Sequence, residues 1–521
     1  MEQMKITIIE TSDLHGHVFP HAYSNNEPKR YGMAFIANYL KTLRKQEDNV
    51  LVIDNGDNFQ GTPLTLHYVK KLQHLANPIV LLFNELNYDA TVIGNHEFNY
   101  GQNLLQKAIQ ESSFPWLSCN IVKKGTNEPA FGTPYIVKRF HDLKIVVLGA
   151  TTHYIPYWED PFHIKGLQFL DAFQSIKAWV KKIRDIENPD LFIVAYHGGI
   201  ECDLTTGKPT EEQTGENQAY QIAKKIKGID ILLTGHQHRL VSGRVNGVAI
   251  IQPGANGRAV GKITVEFRKD NGKWRMVDIK PVIDDIEKYG GDKEILKMVQ
   301  LYEEETQDWL DQPIGQVEGD MRIKDPFFVR AKEHPFIEFV NRVQMEAANA
   351  PISCTALFSN EAKGFGKEIT VRDVVANYIY PNTLKVIELT GLDIKNALER
   401  SASYFTVENG ELKVHPSFIE PKPQHFNYDM WEGIDYVLDI QKPVGERVTK
   451  LEHNGVPLNF KKKYDVVMNN YRASGGGEYT MFKGKKVIKE IQVDMVELMI
   501  QYILSRRVIQ STCNHNWKVI W

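Results

Sequence analysis

Histidine, aspartate and asparagine gather at five short stations in the first half of the chain. Asp13 and His15 lie in Thr-Ser-Asp-Leu-His-Gly-His, Asp57 in Asn-Gly-Asp-Asn-Phe-Gln-Gly, and Asn95 and His96 in Gly-Asn-His-Glu-Phe-Asn-Tyr-Gly. His197 lies in Tyr-His-Gly-Gly, and His236 and His238 in Gly-His-Gln-His. Imidazole and carboxylate donors together serve borderline first-row divalent ions such as Mn, Fe, Co or Zn. The spacing Asp-x-His, like His-x-His, puts two side chains on the same side of an extended segment. A lone histidine after a strand is ordinarily a loop or core residue, and Gly-Asp is ordinarily a turn. Five such stations at one end of one sheet point instead to a bimetal centre. Asp57, from a central strand, is the natural carboxylate to bridge two ions, and neutral Asn95 completes coordination without adding charge. Glycines beside the stations (Gly56, Gly94, Gly198, Gly235) let backbone pass close to a crowded site.

The elements that must position these residues alternate. Residues 1–285 set short β-branched runs against amphipathic stretches, the pattern of βα units. The strand candidates are Lys5–Glu10, Val50–Asn55, Ala90–Gly94, Lys144–Ala150, Leu191–Tyr196 and Ile229–Thr234. They are nearly continuous apolar runs, as strands covered on both faces require. Every station sits at the C-terminal end of such a run, where an α/β sheet gathers its binding site. Helical patterns cover Ala34–Lys45, Leu64–Leu86, Asn103–Gln110, Ala172–Glu187 and Asn217–Lys227, and the runs Val241–Val245, Val248–Gln252 and Lys262–Phe267 read as antiparallel strands closing the domain. Residues 286–312 read as a polar, solvated connecting helix. Residues 313–521 mix strands (Tyr436–Ile440, Val466–Asn469) with helices (Val329–Asn349, Val371–Asn377, Leu392–Ser403, Val493–Ser505), the pattern of a separate α+β domain. The tail from Ser511 shows no periodicity.

Composition narrows the partners. The 521 residues exceed one core and suggest two to four domains. A net charge of −3 lacks the basic footprint of a nucleic-acid binder, so polymeric DNA or RNA is not the expected partner. No run approaches a membrane-spanning length, and the first residues lack the pattern of a secretory leader. Four dispersed cysteines (Cys119, Cys202, Cys354, Cys513) form no disulfide framework. A cytoplasmic enzyme is the expectation, with no reading of its oligomeric state.

The series Asp-x-His, Gly-Asp, Gly-Asn-His-Glu, His-Gly-Gly and Gly-His-x-His resembles the calcineurin-like metallophosphoesterases. More narrowly it is similar to the bacterial 5′-nucleotidase/2′,3′-cyclic phosphodiesterase group. That resemblance implies an α/β sandwich catalytic domain joined by a helix to a C-terminal α+β domain that binds the nucleotide. It assigns Asp13, His15, Asp57 and His238 to one ion and Asp57, Asn95, His197 and His236 to the other. The implied chemistry is two-metal hydrolysis of a phosphate ester, with His96 as acid or electrostatic partner of the leaving oxygen. In the 5′-nucleotidases an aspartate stands at the position of Asn99. The asparagine here resembles the 2′,3′-cyclic-nucleotide 2′-phosphodiesterase/3′-nucleotidase branch, and Asn99 can orient His96 but cannot neutralise an imidazolium. In related enzymes two aromatics of the C-terminal domain sandwich the base, which here implies Tyr471 with Phe426 or Tyr428. The expected ligand is thus a small nucleotide. A 5′-nucleotidase or nucleotide-sugar hydrolase on the same scaffold is the alternative, and a non-catalytic nucleotide- or metal-binding protein is a rival of another class.

Overall fold

Gln3–Thr11, Val50–Asp54, Ala90–Val92 and Trp116–Leu117 pair in parallel, in that order. Ala259–Asp270 and Lys273–Asp285 extend this sheet antiparallel beyond Gln3–Thr11, giving six strands. A second six-stranded sheet runs Leu240–Val245, Val248–Pro253, Ile231–Thr234, Leu191–His197, Leu143–Thr151, Tyr135–Phe140. The structure, a computed structural model, describes residues 2–157, 159–211, 213–380, 382–420, 423–491 and 493–521. It divides into two units, Met1–Thr306 and Gln307–Trp521.

Strand alternation explains the layering of the first unit. Ile6, Ile8, Leu51 and Ile53 of one sheet share a core with Ile145, Val147, Ile193 and Leu233 of the other, all fully buried. Their neighbours in sequence face outward and are buried too. Ile9 and Val52 meet Ile36, Leu40 and Leu82, while Val146 and Val194 meet Ile176, Val180 and Ile222. The central strands are therefore apolar on both faces, and the layers run helix, sheet, sheet, helix. At about 1.5–3 kcal/mol per buried aliphatic side chain, this double burial is the main force holding the strands in register.

Several elements differ from the sequence reading. The helical pattern over 64–86 breaks into Pro63–His67, a π-turn Tyr68–Leu72, and Pro78–Glu85. The first part ends at Leu72, and Asn77, held extended before proline (its ψ is 121°), starts the next helix with its Oδ1 accepting from Ile79 N–H. Pro335 splits 329–349 in the same way, with His334 as cap of Pro335–Ala348. Val248–Pro253 is antiparallel to Leu240–Val245, as expected, but parallel to Ile231–Thr234. The polar stretch after residue 286 forms the helices Lys293–Met298 and Gln300–Leu310, and it buries one face: Ile295, Val299 and Tyr302 join the core of the first unit.

The second unit is built on a five-stranded sheet, Asp429–Glu432, Ile352–Ala356, Lys463–Asn469, Leu384–Thr390, Val487–Ile491, packed by Pro335–Ala348. The aperiodic tail ends as a strand, Trp517–Ile520, parallel to Asp435–Asp439. Among the described residues no helix is long and apolar enough to cross a membrane, and the four cysteines are free.

Candidate functional site

Four of the five stations open just beyond the last residue of their strand, and the fifth, His197, is itself a strand's last residue. Thr11, Asp54, Val92 and Thr234 precede Asp13, Asp57, Asn95 and His236 by two or three residues. The loops are tied to each other by backbone: Asp13 N–H donates to Gly56 O and His15 N–H to Asp57 O, both at 2.9 Å. Close approach leaves no room for side chains between the loops. A Cβ on Gly94 would meet Asp57 Oδ1 at 2.4 Å, and one on Gly235 would meet Ser12 Oγ at 2.3 Å.

The seven predicted ligands come together as two groups. Donor atoms of Asp13, His15 and His238 lie within 4.8 Å of one another, as do those of Asp57, His197 and His236. In the first, His238 Nε2 is 2.9 Å from His15 Nε2 and 3.4 Å from Asp13 Oδ1. In the second, His197 Nε2 is 3.1 Å from Asp57 Oδ2, and Asn95 Oδ1 lies 3.1 Å from His197 Nε2 and 2.9 Å from His236 Nδ1. Asp57 falls in the second group, and its sharing between two ions rests on the family resemblance. Five of these residues hold a left-handed backbone: Asp13 (φ 53°), His15 (48°), Asp57 (64°), His236 (70°) and His238 (57°). Such a conformation costs a non-glycine residue about 1–2 kcal/mol, so the surrounding fold imposes it.

The donor chemistry fits divalent cations. His15 Nδ1 is 2.9 Å from Gln60 O and His197 Nδ1 is 2.6 Å from Asn55 O. A carbonyl only accepts, so each Nδ1 carries the proton and each Nε2 presents its lone pair inward. His236 is placed the other way round, with Nε2 3.0 Å from Glu216 Oε1 and Nδ1 turned inward. Burial, then the charges of His238 and His96, press His15 down to about 3, which keeps it neutral and ligand-ready. Burial also opposes charge on His197, but the Asp57 carboxylate outweighs it and holds the ring near 10. That carboxylate demands a positive partner, and a metal ion supplies one without protonating the ring.

His96 stands beside this centre. Its N–H donates to Asp57 Oδ1 at 2.8 Å, its Nε2 is 4.0 Å from Asp57 Oδ2, and its Nδ1 is 2.6 Å from Asn99 Oδ1. Two further residues escaped the sequence reading. The buried Glu97 accepts backbone N–H groups from Asp57, Asn58 and Gly94 at 2.7–2.9 Å, binding two stations into one unit. Burial, then the Asp57 charge, push it up to about 8, against the N–H groups of Asn58 and Asp57. Glu97 stood inside a quoted motif, so a signal existed. Glu216, the partner of His236, lies in an aperiodic loop and carried none.

In the second unit the three aromatics fare differently. Tyr471 is 38% exposed, and Phe426 is half-buried. Tyr428 is completely buried, packed among Tyr404 and Phe405, and has no free face for a base. Tyr380, 37% exposed and 6.4 Å from Phe426 between ring centroids, lies beside Phe426 instead. The segments carrying Phe426 and Tyr471 are clamped by buried Arg472. Its guanidinium donates to Phe426 O, Asn427 Oδ1 and Gly476 O and pairs with Asp429, Nε to Oδ2 at 2.7 Å.

Comparison with known proteins follows the same division. Residues 6–240 match the calcineurin-like phosphoesterase family, and residues 313–484 match the 5′-nucleotidase C-terminal domain. A Staphylococcus aureus protein designated a 5′-nucleotidase, solved with alpha-ketoglutarate, superposes with a TM-score of 0.88 at 36% identity over 99% of this chain and 100% of its own. The trifunctional nucleotide phosphoesterase protein YfkN of Bacillus subtilis is 28% identical over 99% of this chain, which spans only 39% of that protein's length. The 2′,3′-cyclic-nucleotide 2′-phosphodiesterase/3′-nucleotidase of Yersinia enterocolitica is 26% identical over 90% of this chain and 81% of its own.

Proposed function

This chain belongs to the calcineurin-like phosphoesterases that carry a 5′-nucleotidase C-terminal domain, a family of nucleotide phosphoesterases, and from that premise we propose that it is a 2′,3′-cyclic-nucleotide 2′-phosphodiesterase/3′-nucleotidase. The observation that carries the narrower reading is the carboxamide of Asn99 on His96 Nδ1, where the 5′-nucleotidase pattern has a carboxylate. Relatives named for the cyclic and 3′ activities, each 26% identical, support it. One observation favours a 5′-nucleotidase as second reading: the S. aureus protein so designated is 36% identical along its whole length.

Asp13, His15 and His238 would hold one divalent ion, and Asp57, His197, His236 and Asn95 the other, Asp57 being the ligand that the family resemblance assigns to both. When bound, such ions supply Lewis acidity toward the phosphate and a water made acidic enough to attack near neutral pH. The chain's own residues do the rest. Gln60 O and Asn55 O fix the ring orientation of His15 and His197, and Glu216 that of His236. His96 keeps one proton on Nδ1 against Asn99, so Nε2 is the atom that serves the ester. As the P–O bond to the leaving oxygen breaks, that oxygen takes the Nε2 proton and the ring is left neutral. Tyr471 and Phe426 provide aromatic faces for a base, each stacking worth about 1–3 kcal/mol.

The test is product release from purified protein with Mn²⁺ on 2′,3′-cyclic AMP, 3′-AMP and 5′-AMP. Turnover of the first two, abolished in Asp57→Ala and reduced about 100-fold or more in His96→Ala, is expected. Preference for 5′-AMP would replace the narrower reading with the second.

A further inference from the structure

Asn99 faces two ways. Its Oδ1 lies 2.6 Å from His96 Nδ1, and its Nδ2 donates to Glu159 Oε2 at 2.8 Å. Glu159 follows the 3-10 turn Ile155–Tyr157, in a loop with no motif and no periodicity. Its side chain is only 8% exposed. The other oxygen, Oε1, is already held, by Asp160 N–H at 2.8 Å and by His163 Nδ1 at 2.8 Å. Oε2 is therefore the oxygen left for Asn99.

A carboxamide has two ends of similar shape and opposite chemistry, and an asparagine beside a histidine can turn either one to the ring. Glu159 removes that freedom. A carboxylate only accepts, so the NH2 of Asn99 must face it and the carbonyl must face His96. A carbonyl also only accepts, so His96 Nδ1 must be the donor. The polarity of the whole row, Glu159 to Asn99 to His96, is set by its one member that cannot reverse. His163 and Asp160 belong to the same arrangement, since they fix the carboxylate that fixes the amide.

We propose that Glu159 is a positioning residue for ester cleavage, locking the Asn99 amide so that His96 holds its inner proton on Nδ1 and turns Nε2 to the substrate. This rests on the reading of His96 as the group that protonates the leaving oxygen. It adds that an asparagine serves where relatives use an aspartate because a carboxylate stands behind it.

The experiment is a double-mutant cycle in the full-length, Mn²⁺-loaded protein: Glu159→Gln, Asn99→Asp, the two combined, and His96→Ala. Each is assayed on a nucleotide and on a nitrophenyl phosphate ester, whose leaving group departs without protonation. Glu159→Gln should lower kcat on the nucleotide about 10-fold or more with KM unchanged, and much less on the aryl ester. Asn99→Asp alone should also lose activity, because two carboxylates then face each other. The pair Asn99→Asp with Glu159→Gln should return to within about 3-fold of the original rate, since the new amide donates to the new carboxylate and His96 keeps its acceptor. Metal content and melting temperature, unchanged across the set, separate this from misfolding. Wild-type rates in Glu159→Gln, losses that multiply in the pair, or equal losses on both esters would overturn the proposal. Full activity in His96→Ala would instead overturn the reading of His96 on which it rests.

Discussion

On Glu97 three backbone N–H groups converge, from Asp57, Asn58 and Gly94, and among the described residues these donors are all backbone. Glu97→Gln keeps the shape but offers only one accepting oxygen, and an NH2 then faces N–H groups. Such a mismatch in a buried site costs about 1–3 kcal/mol. Activity should fall by at least 10-fold, with weakened retention of the second ion measured by metal analysis after dialysis. Gly94→Ala should be as damaging for another reason: its Cβ would overlap Asp57 Oδ1 at 2.4 Å. Residue by residue, what was legible followed from contact type. Asp13 with His15 and His236 with His238 stand as pairs in short motifs, and Asp57 and His197 stand beside glycines at strand ends, signals that can be read from the sequence. Glu97 acts on backbone, which leaves no partner motif, and Glu216 and Glu159 lie in loops whose partners are distant in sequence. Tyr428 and Phe426 could not be separated from spacing, because alternation says which residues share a face and not which face is covered.

Among the elements, the sheet carried the clearest signal. Runs apolar on both faces mark strands between two layers, and the central strands of both sheets follow them, whereas Trp116–Leu117, Tyr135–Phe140 and Lys273–Asp285 carried no such run. Asn77-Pro78 and His334-Pro335 broke helices that apolar periodicity alone would have carried through, since proline rules were outvoted by the pattern around them. In the second unit the segments carrying Phe426 and Tyr471 are held by one ion pair, with Arg472 and Asp429 each 1% exposed. Removing one partner strands a buried charge, so Arg472→Ala should cost about 3–5 kcal/mol in chemical denaturation of the second unit's transition. KM for a nucleotide should rise if any folded fraction remains. The tail is joined to its neighbours by Glu432, whose Oε2 accepts from Asn514. Burial raises Glu432 from its usual 4.5 to about 7. The folded state thus keeps a proton that the unfolded chain releases between those values, and stability falls as pH rises across that window. Glu432→Gln should flatten this dependence and stabilise the protein at neutral pH by up to about 3 kcal/mol, read from unfolding midpoints at pH 4.5 and 7.5.

At the scale of the whole molecule the proposed ions would be a folding term as well as a chemical one. Six donor side chains lie in two small groups, each with its donor atoms within 4.8 Å of one another, so a divalent cation would find its ligands already gathered in the folded chain and scattered in the unfolded one. Binding only the native state stabilises it by roughly 2.7 kcal/mol at a hundredfold excess over Kd. A chelator should therefore lower the melting temperature, and Asp57→Ala should remove most of that response. The left-handed backbone of Asp13, His15, Asp57, His236 and His238 has a further consequence. Glycine adopts that conformation freely, so His238→Gly should relieve about 0.5–1 kcal/mol net and raise the melting temperature of the chelated protein while destroying turnover. Five of the proposed metal ligands thus stand at positions whose backbone would suit glycine better than the residue present. A population of variants selected for thermal endurance alone, with no demand for hydrolysis, would drift toward glycine there, losing its catalytic identity while its core stayed intact.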